Sequence, residues 1–142
     1  MNFPNQPTLA ARQAALVELL LLLPDVAERM NALVAHAVWM EKVQPLVKVP
    51  ADLVEGCVSQ VWLARRDEQG GCVFRSAADS ALVAGLVGAM TELASGLPPA
   101  ELVSFQPAFL EAAGLWSQLS PTRQRGLSAV AQEIQAFARA CS

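Results

Sequence analysis

Three cysteines, at 57, 72 and 141, and a lone histidine at 36 are the side chains of this sequence best suited to nucleophilic or metal chemistry. Sulfur transfer needs a thiolate that a bulky partner can reach, because exchange proceeds by attack of one sulfur on another. In "VEGCVSQVWLARR", residues 54–66, Cys57 follows Gly56 and precedes a run of strand formers. Glycine permits turns that other residues cannot make, so Cys57 is expected at the top of a tight loop. Context alone leaves a second reading open, in which Cys57 is packed as a small hydrophobe, the usual fate of a free cysteine. No neighbour in the sequence activates it, since Glu55 would raise rather than lower a thiol pKa. A thiol of ordinary acidity still suits exchange, where the best attacker has a pKa near ambient pH.

The other candidates read as structural. Cys72 falls inside a strand and is expected in the core or on the sheet surface. Cys141 reads as an incidental exposed thiol, and His36, between alanines in a helix, as packed or half-exposed. Zinc and iron–sulfur sites usually show closely spaced, paired ligands; none occur here, so neither a metal nor a cofactor is expected. No G-x-G-x-x-G, Walker-type or G-x-S-x-G pattern is present, and a Cys–His dyad would require Cys57 and His36 to meet across the fold.

Composition narrows the partners. A net charge of −3, with 16% charged residues and no block of like charges, offers no basic stripe for nucleic acid. Hydrophobic content of 54% raises the question of a membrane. Spanning one takes about 20 predominantly apolar residues, yet "LVELLLLLP" is bracketed by Glu18 and Pro24, and the longest uncharged stretch, Ser80 to Thr91, is 12 residues. The start lacks the charge pattern of a secretory signal, and an odd number of cysteines without C-x-x-C spacing points to reduced thiols. A cytoplasmic location is therefore expected.

The elements that must position Cys57 follow from periodicity. Thr8 caps a helix to about Leu23, with Leu9, Leu16, Leu19, Leu20 and Leu23 at helical spacing, and Asp25 caps a second to about Lys42. After a connector with prolines at 45 and 50 comes a short extended piece at Leu53 to Glu55. Strands are expected at Ser59 to Arg66 and Cys72 to Ser76, joined by the glycine-containing turn "DEQGG". Asp79 or Ser80 caps a third helix, "SALVAGLVGAMTELASG", which is apolar nearly all round and so buried between layers. Gly85 and Gly88 each cost about 1 kcal/mol against alanine in a helix interior, which implies close approach to another backbone. Two short helices opened by prolines follow, and Ser120 with Pro121 starts a C-terminal helix. The expected class is α+β: one domain over residues 1–142, with a small antiparallel sheet of about three strands covered by helices.

At this point the motifs carry a resemblance. "GCVSQVWL", 56–63, resembles the G-C-x-S-Q-V-W-hydrophobic signature of the SufE family. "ADSALVAGL", 78–86, is similar to its D-S-x-x-I-V-K-G-L, and "GLWSQLSPTRQRGL", 114–127, to its G-L-x-x-H-L-S-P-S-R-x-N-G-L. "ERMNALVAHA", 28–37, loosely matches a segment of the family's second helix. The resemblance implies an α+β fold like that of the IscU-type scaffold. It also implies a function: Cys57 accepts persulfide sulfur from a SufS- or CsdA-like cysteine desulfurase and passes it to a downstream scaffold or another acceptor. Gly56, Gln60, Asp79 and Arg123 are the implied supporting or partner-binding residues.

The chain departs from the family at Ala84, Gln118 and Arg125, where lysine, histidine and an amide are usual; Val26 and Met30 replace aromatic residues. Asp79 is explained equally by an N-cap, and Trp62 by packing under a helix. Arg123 is mismatched to the helix dipole in a first turn, which hints at a role near the Cys57 loop or the partner. The expected resting state turns the sulfur toward apolar cover and swings it out on docking. Two rival functions are an IscU-type metal or iron–sulfur scaffold and a non-catalytic desulfurase-binding regulator.

Overall fold

The most apolar stretch of the chain becomes the helix around which the rest is assembled. In the computed structural model, which describes residues 6–141, this helix is Ala81–Ala94 (α3). Nine of its 14 residues are buried, among them Leu86, Met90 and Leu93. One side packs on α2 (Val26–Val43) and the other on the hairpin strand β2 (Gly71–Ala78), which pairs antiparallel with β1 (Val61–Glu68). α1 (Leu9–Leu21) precedes α2; α4 (Pro99–Leu102), α5 (Phe109–Ala112) and α6 (Pro121–Cys141) follow α3. No helix among the described residues is long and apolar enough to cross a membrane.

The α+β class is as expected, but the sheet has two strands rather than three. The extended piece at Leu53 shrinks to a single bridge with Trp62 and the bond from the Val54 N–H to the Val61 carbonyl, 2.9 Å. The 3₁₀ turn Pro50–Asp52 on one side and the Glu55–Gly56 turn on the other leave no length for a ladder. A second bridge, Cys72 to Leu97, flanks the opposite edge. The hairpin itself runs further than the sequence implies. Asp67 and Glu68 still pair with Cys72 and Gly71, because only Gln69 and Gly70 are needed to turn, Gly70 at φ +86°.

Side chains from one helix stitch distant loops. Thr8 and Asp25 cap α1 and α2 as expected, accepting from the N–H groups of Ala11 and Glu28. α1 stops at Leu21, and Leu19 is more than half exposed, because five consecutive leucines are wider than one helical stripe. Arg29 donates to the Leu20, Leu23 and Ala113 carbonyls and thereby ties the α1–α2 turn to the end of α5. Trp62 lies on the outer face of β1 beneath the Lys48 ammonium, 5.8 Å from its ring, instead of under a helix.

The two glycines of α3 separate. A Cβ on Gly85 would sit 2.9 Å from the Val34 nitrogen and 3.0 Å from its Cα, so α2 and α3 touch backbone to backbone there. At Gly88 the nearest foreign atom to a Cβ is the Ala37 Cβ at 3.8 Å, an ordinary contact, and the expected close approach is absent. Gly85→Ala is therefore predicted to destabilise by about 1–3 kcal/mol through overpacking. Gly88→Ala is predicted to be neutral or stabilising by up to about 1 kcal/mol through helix propensity. Urea unfolding of both variants checks the contrast.

Candidate functional site

The loop between Val54 and β1 is held at both ends. At its start Gly56 takes φ +92°, a conformation that side-chain-bearing residues rarely adopt, with Ala129 of α6 packed over it. At its end the Gln60 N–H donates to the Asp79 carboxylate at 3.1 Å, and the Asp79 N–H donates to the Gln60 carbonyl at 3.1 Å. This reciprocal pair extends the β1–β2 ladder one step past Val61 and Ala78. Asp79 is thus not the cap of α3. Ser80 takes that place, its hydroxyl accepting from the Val83 N–H.

Between these anchors Cys57 turns inward. Its thiol donates to the Gly126 carbonyl at 3.5 Å, and a Cβ on Gly126 would lie 3.6 Å from the sulfur. Gly126 therefore gives α6 a flat landing for the thiol. α6 is placed by the Ser120 hydroxyl, which accepts from the Arg123 N–H at 3.2 Å, and by Pro121 at its first position, where no donor is needed. A cavity of about 230 Å³ opens beside the sulfur. Val61, Val83, Leu86 and Val87 supply apolar lining, and Ser120, Thr122 and Arg123 bring the polar groups. Arg123 is exposed and enters no ion pair among the described residues. Next to the sheltered cysteine, Val58 is 83% exposed.

Burial pushes the Cys57 thiol above its ordinary value of 9.0. The neutral thiol is thus the resting form at physiological pH, and its proton is the one the Gly126 carbonyl accepts. A half-buried thiol on a turn, over an apolar cavity and out of its nucleophilic form, is a protected group with a short path to solvent.

Of the residues singled out from the sequence, Cys57, Gly56, Gln60, Asp79 and Arg123 gather around this one loop. His36 does not join them. It bonds to Glu92 at 2.8 Å and lines a separate cavity between α2 and α3, so no Cys57–His36 dyad forms. Ala84 faces that other cavity, and Gln118 and Arg125 are exposed. Cys72 is fully buried in β2, and Cys141 is half-buried against the core instead of being an incidental exposed thiol. Among the described residues, no three of His, Cys, Asp and Glu gather to hold a metal ion. Gly126 and the apolar lining from α3 were missed in the sequence. A glycine within an otherwise helical run, at a cost of about 1 kcal/mol, was the available signal for Gly126.

A sequence model of the SufE family, described as an Fe-S metabolism associated domain, matches residues 14–138. The chain belongs to the SufE family. An uncharacterized SufE-like protein of Synechocystis sp. is 33% identical over 137 residues, covering 94% of this chain and 86% of that one. A hypothetical protein from Thermus thermophilus, known from its solution structure, superposes with a TM-score of 0.73 at 23% identity, covering 92% of this chain and 95% of that one. The SufE fold is therefore shared with that structure, and its association with iron–sulfur metabolism comes with the family.

Two outcomes follow from the loop of this SufE-family chain. Alkylation of Cys57, followed against pH by peptide mass spectrometry, is expected to climb with pH through a midpoint above 9.0, because only the thiolate reacts and burial disfavours it. In denaturant that midpoint is expected to fall back to the ordinary value. Asp79→Ala removes the side-chain acceptor for the Gln60 N–H and is expected to raise the Cys57 alkylation rate about 3–10-fold at fixed pH, since a lost hydrogen bond is worth about 1 kcal/mol.

Proposed function

We propose that this SufE-family protein is a sulfur acceptor in which Cys57 takes persulfide sulfur from a cysteine desulfurase. The observation that carries the reading is the placement of Cys57. Its thiol is held on an anchored turn, bonded to one backbone carbonyl, with solvent on one side and an apolar cavity on the other. Such a group reacts once a partner draws it out, and stays quiet otherwise.

The chemistry needs no resident cofactor in this chain. Rotation at Gly56 frees the thiol from the Gly126 carbonyl, and its proton passes to solvent or to a base of the partner. The Cys57 thiolate attacks the outer sulfur of the partner's cysteine persulfide. A new S–S bond forms to Cys57, the old S–S bond breaks, and the partner's cysteine leaves as thiolate. The product is a persulfide on Cys57, which a downstream scaffold or another acceptor consumes by the same exchange. Arg123, at the cavity, is positioned to favour an anionic sulfur or an acidic partner surface. Exposed Val58, beside the reacting residue, offers apolar contact to the desulfurase.

Incubation with a desulfurase and cysteine is expected to add about 32 Da per sulfur atom to the peptide carrying Cys57, removable by a reducing thiol. Cys57→Ser is expected to abolish both the mass gain and the stimulation of sulfide release. If the serine variant stimulates the desulfurase as well as the natural chain does, the protein is a binding regulator and sulfur acceptance is wrong.

A further inference from the structure

The far end of α6 carries a second sulfur arrangement. Glu133, Phe137 and Cys141 recur at intervals of four residues and so share one stripe of the helix. That stripe lies along the hairpin. Glu133 pairs with Arg65 at 2.6 Å, and Phe137 meets Phe74 edge-on with ring centroids 5.7 Å apart. Cys72 is two residues from Phe74, hence on the same face of β2, and both are buried. The next step of the helix stripe therefore brings Cys141 beside Cys72, near enough for the one thiol to act on the acidity of the other. Cys72 is completely covered, held on its edge by the bridge to Leu97, while Cys141 is only half-buried.

We propose that Cys72 and Cys141 form a second sulfur site, separate from Cys57, that closes to an intramolecular disulfide when a peroxide oxidises Cys141. Accessibility sets the order of events. Burial first, and the neighbouring Cys141 second, push the Cys72 thiol up to about 11, so it stays protonated and out of reach of the oxidant. The Cys141 thiolate attacks one peroxide oxygen, the O–O bond breaks, and the released hydroxide or alkoxide takes up a proton. Cys141 is then a sulfenic acid. The Cys72 sulfur attacks that sulfur, the S–O bond breaks, and hydroxide leaves with the Cys72 proton as water. Sulfur loses two electrons in all, and the peroxide gains them. Cys57 is no competitor, because its landing residue Gly126 lies 15 positions before Cys141 on α6, about 22 Å of helix. The pairing uses neither Cys57 nor its loop and does not rest on the sulfur-acceptor reading.

The test uses the full chain carrying Cys57→Ser, with the natural chain in parallel, and a modest excess of hydrogen peroxide. Non-reducing tryptic mapping is expected to join residues 67–75 to 140–142 with a loss of about 2 Da, and titratable thiols of the denatured Cys57→Ser chain are expected to fall from two to none. The thermal midpoint is expected to rise by about 10 °C, reversibly with dithiothreitol, because the bond closes a long loop. Cys141→Ser should show none of these changes and should keep a free Cys72. The proposal is overturned if Cys141 ends as sulfinic or sulfonic acid, if it links two chains while Cys72 stays free, or if neither thiol changes.

Discussion

α3 is buried on nearly every side, and the positions of the other elements follow from that. Fully burying one leucine or methionine side chain is worth about 1.5–3 kcal/mol, and the helix brings Leu86, Met90 and Leu93 to a common core with β2 and α6. Holding α2 against it requires a residue without a side chain at Gly85, where the backbones meet. Because Asp79 immediately precedes Ser80, the N-cap of α3, fixing the helix also fixes the carboxylate that holds Gln60, and with it the base of the Cys57 loop. The site is therefore coupled to the core through one residue step and two hydrogen bonds.

At Cys57 two demands oppose each other. Transfer needs a thiolate in contact with a partner, whereas survival in the absence of a partner favours a neutral, covered thiol. In this structure cover wins at rest. Burial raises the pKa, a carbonyl accepts the proton, and no cation compensates among the groups that set its acidity. Reactivity then depends on motion of a short turn instead of on permanent activation, and Gly56, at a positive φ, is the position where that motion costs least. The departures from the family pattern leave this arrangement intact, since Ala84 faces a different cavity and Gln118 and Arg125 are exposed on the surface.

Much of the fold was legible because local rules and burial agreed. Thr8, Asp25 and Ser120 each stand where a helix begins, and their hydroxyl or carboxylate oxygens accept the backbone N–H groups that such starts leave unpaired. The hairpin was visible from its glycines and the apolar buried face of Val61 and Leu63. The expected third strand at Leu53 to Glu55 is only a one-residue bridge, because whether an extended piece pairs further depends on how the turns beside it meet in space. Trp62 was misplaced under a helix for a related reason: strand alternation says that one face is buried, but not which element covers the other.

Sequence alone determined the α+β class, the order of the elements and the family, through the spacing of apolar residues, the caps and the G-C-x-S-Q-V-W motif. It also singled out Cys57 and its supporting residues, since these sit in short motifs whose order along the chain is preserved. What only tertiary structure decided is the environment of each thiol. Residues 57 and 126 are 69 positions apart, as are 72 and 141, and neither pairing leaves a local trace. Acidity and access of sulfur depend on desolvation by such distant neighbours, so chain order can place a cysteine on a loop or a strand while only the packed core decides which thiol is sheltered, beside what, and from which side.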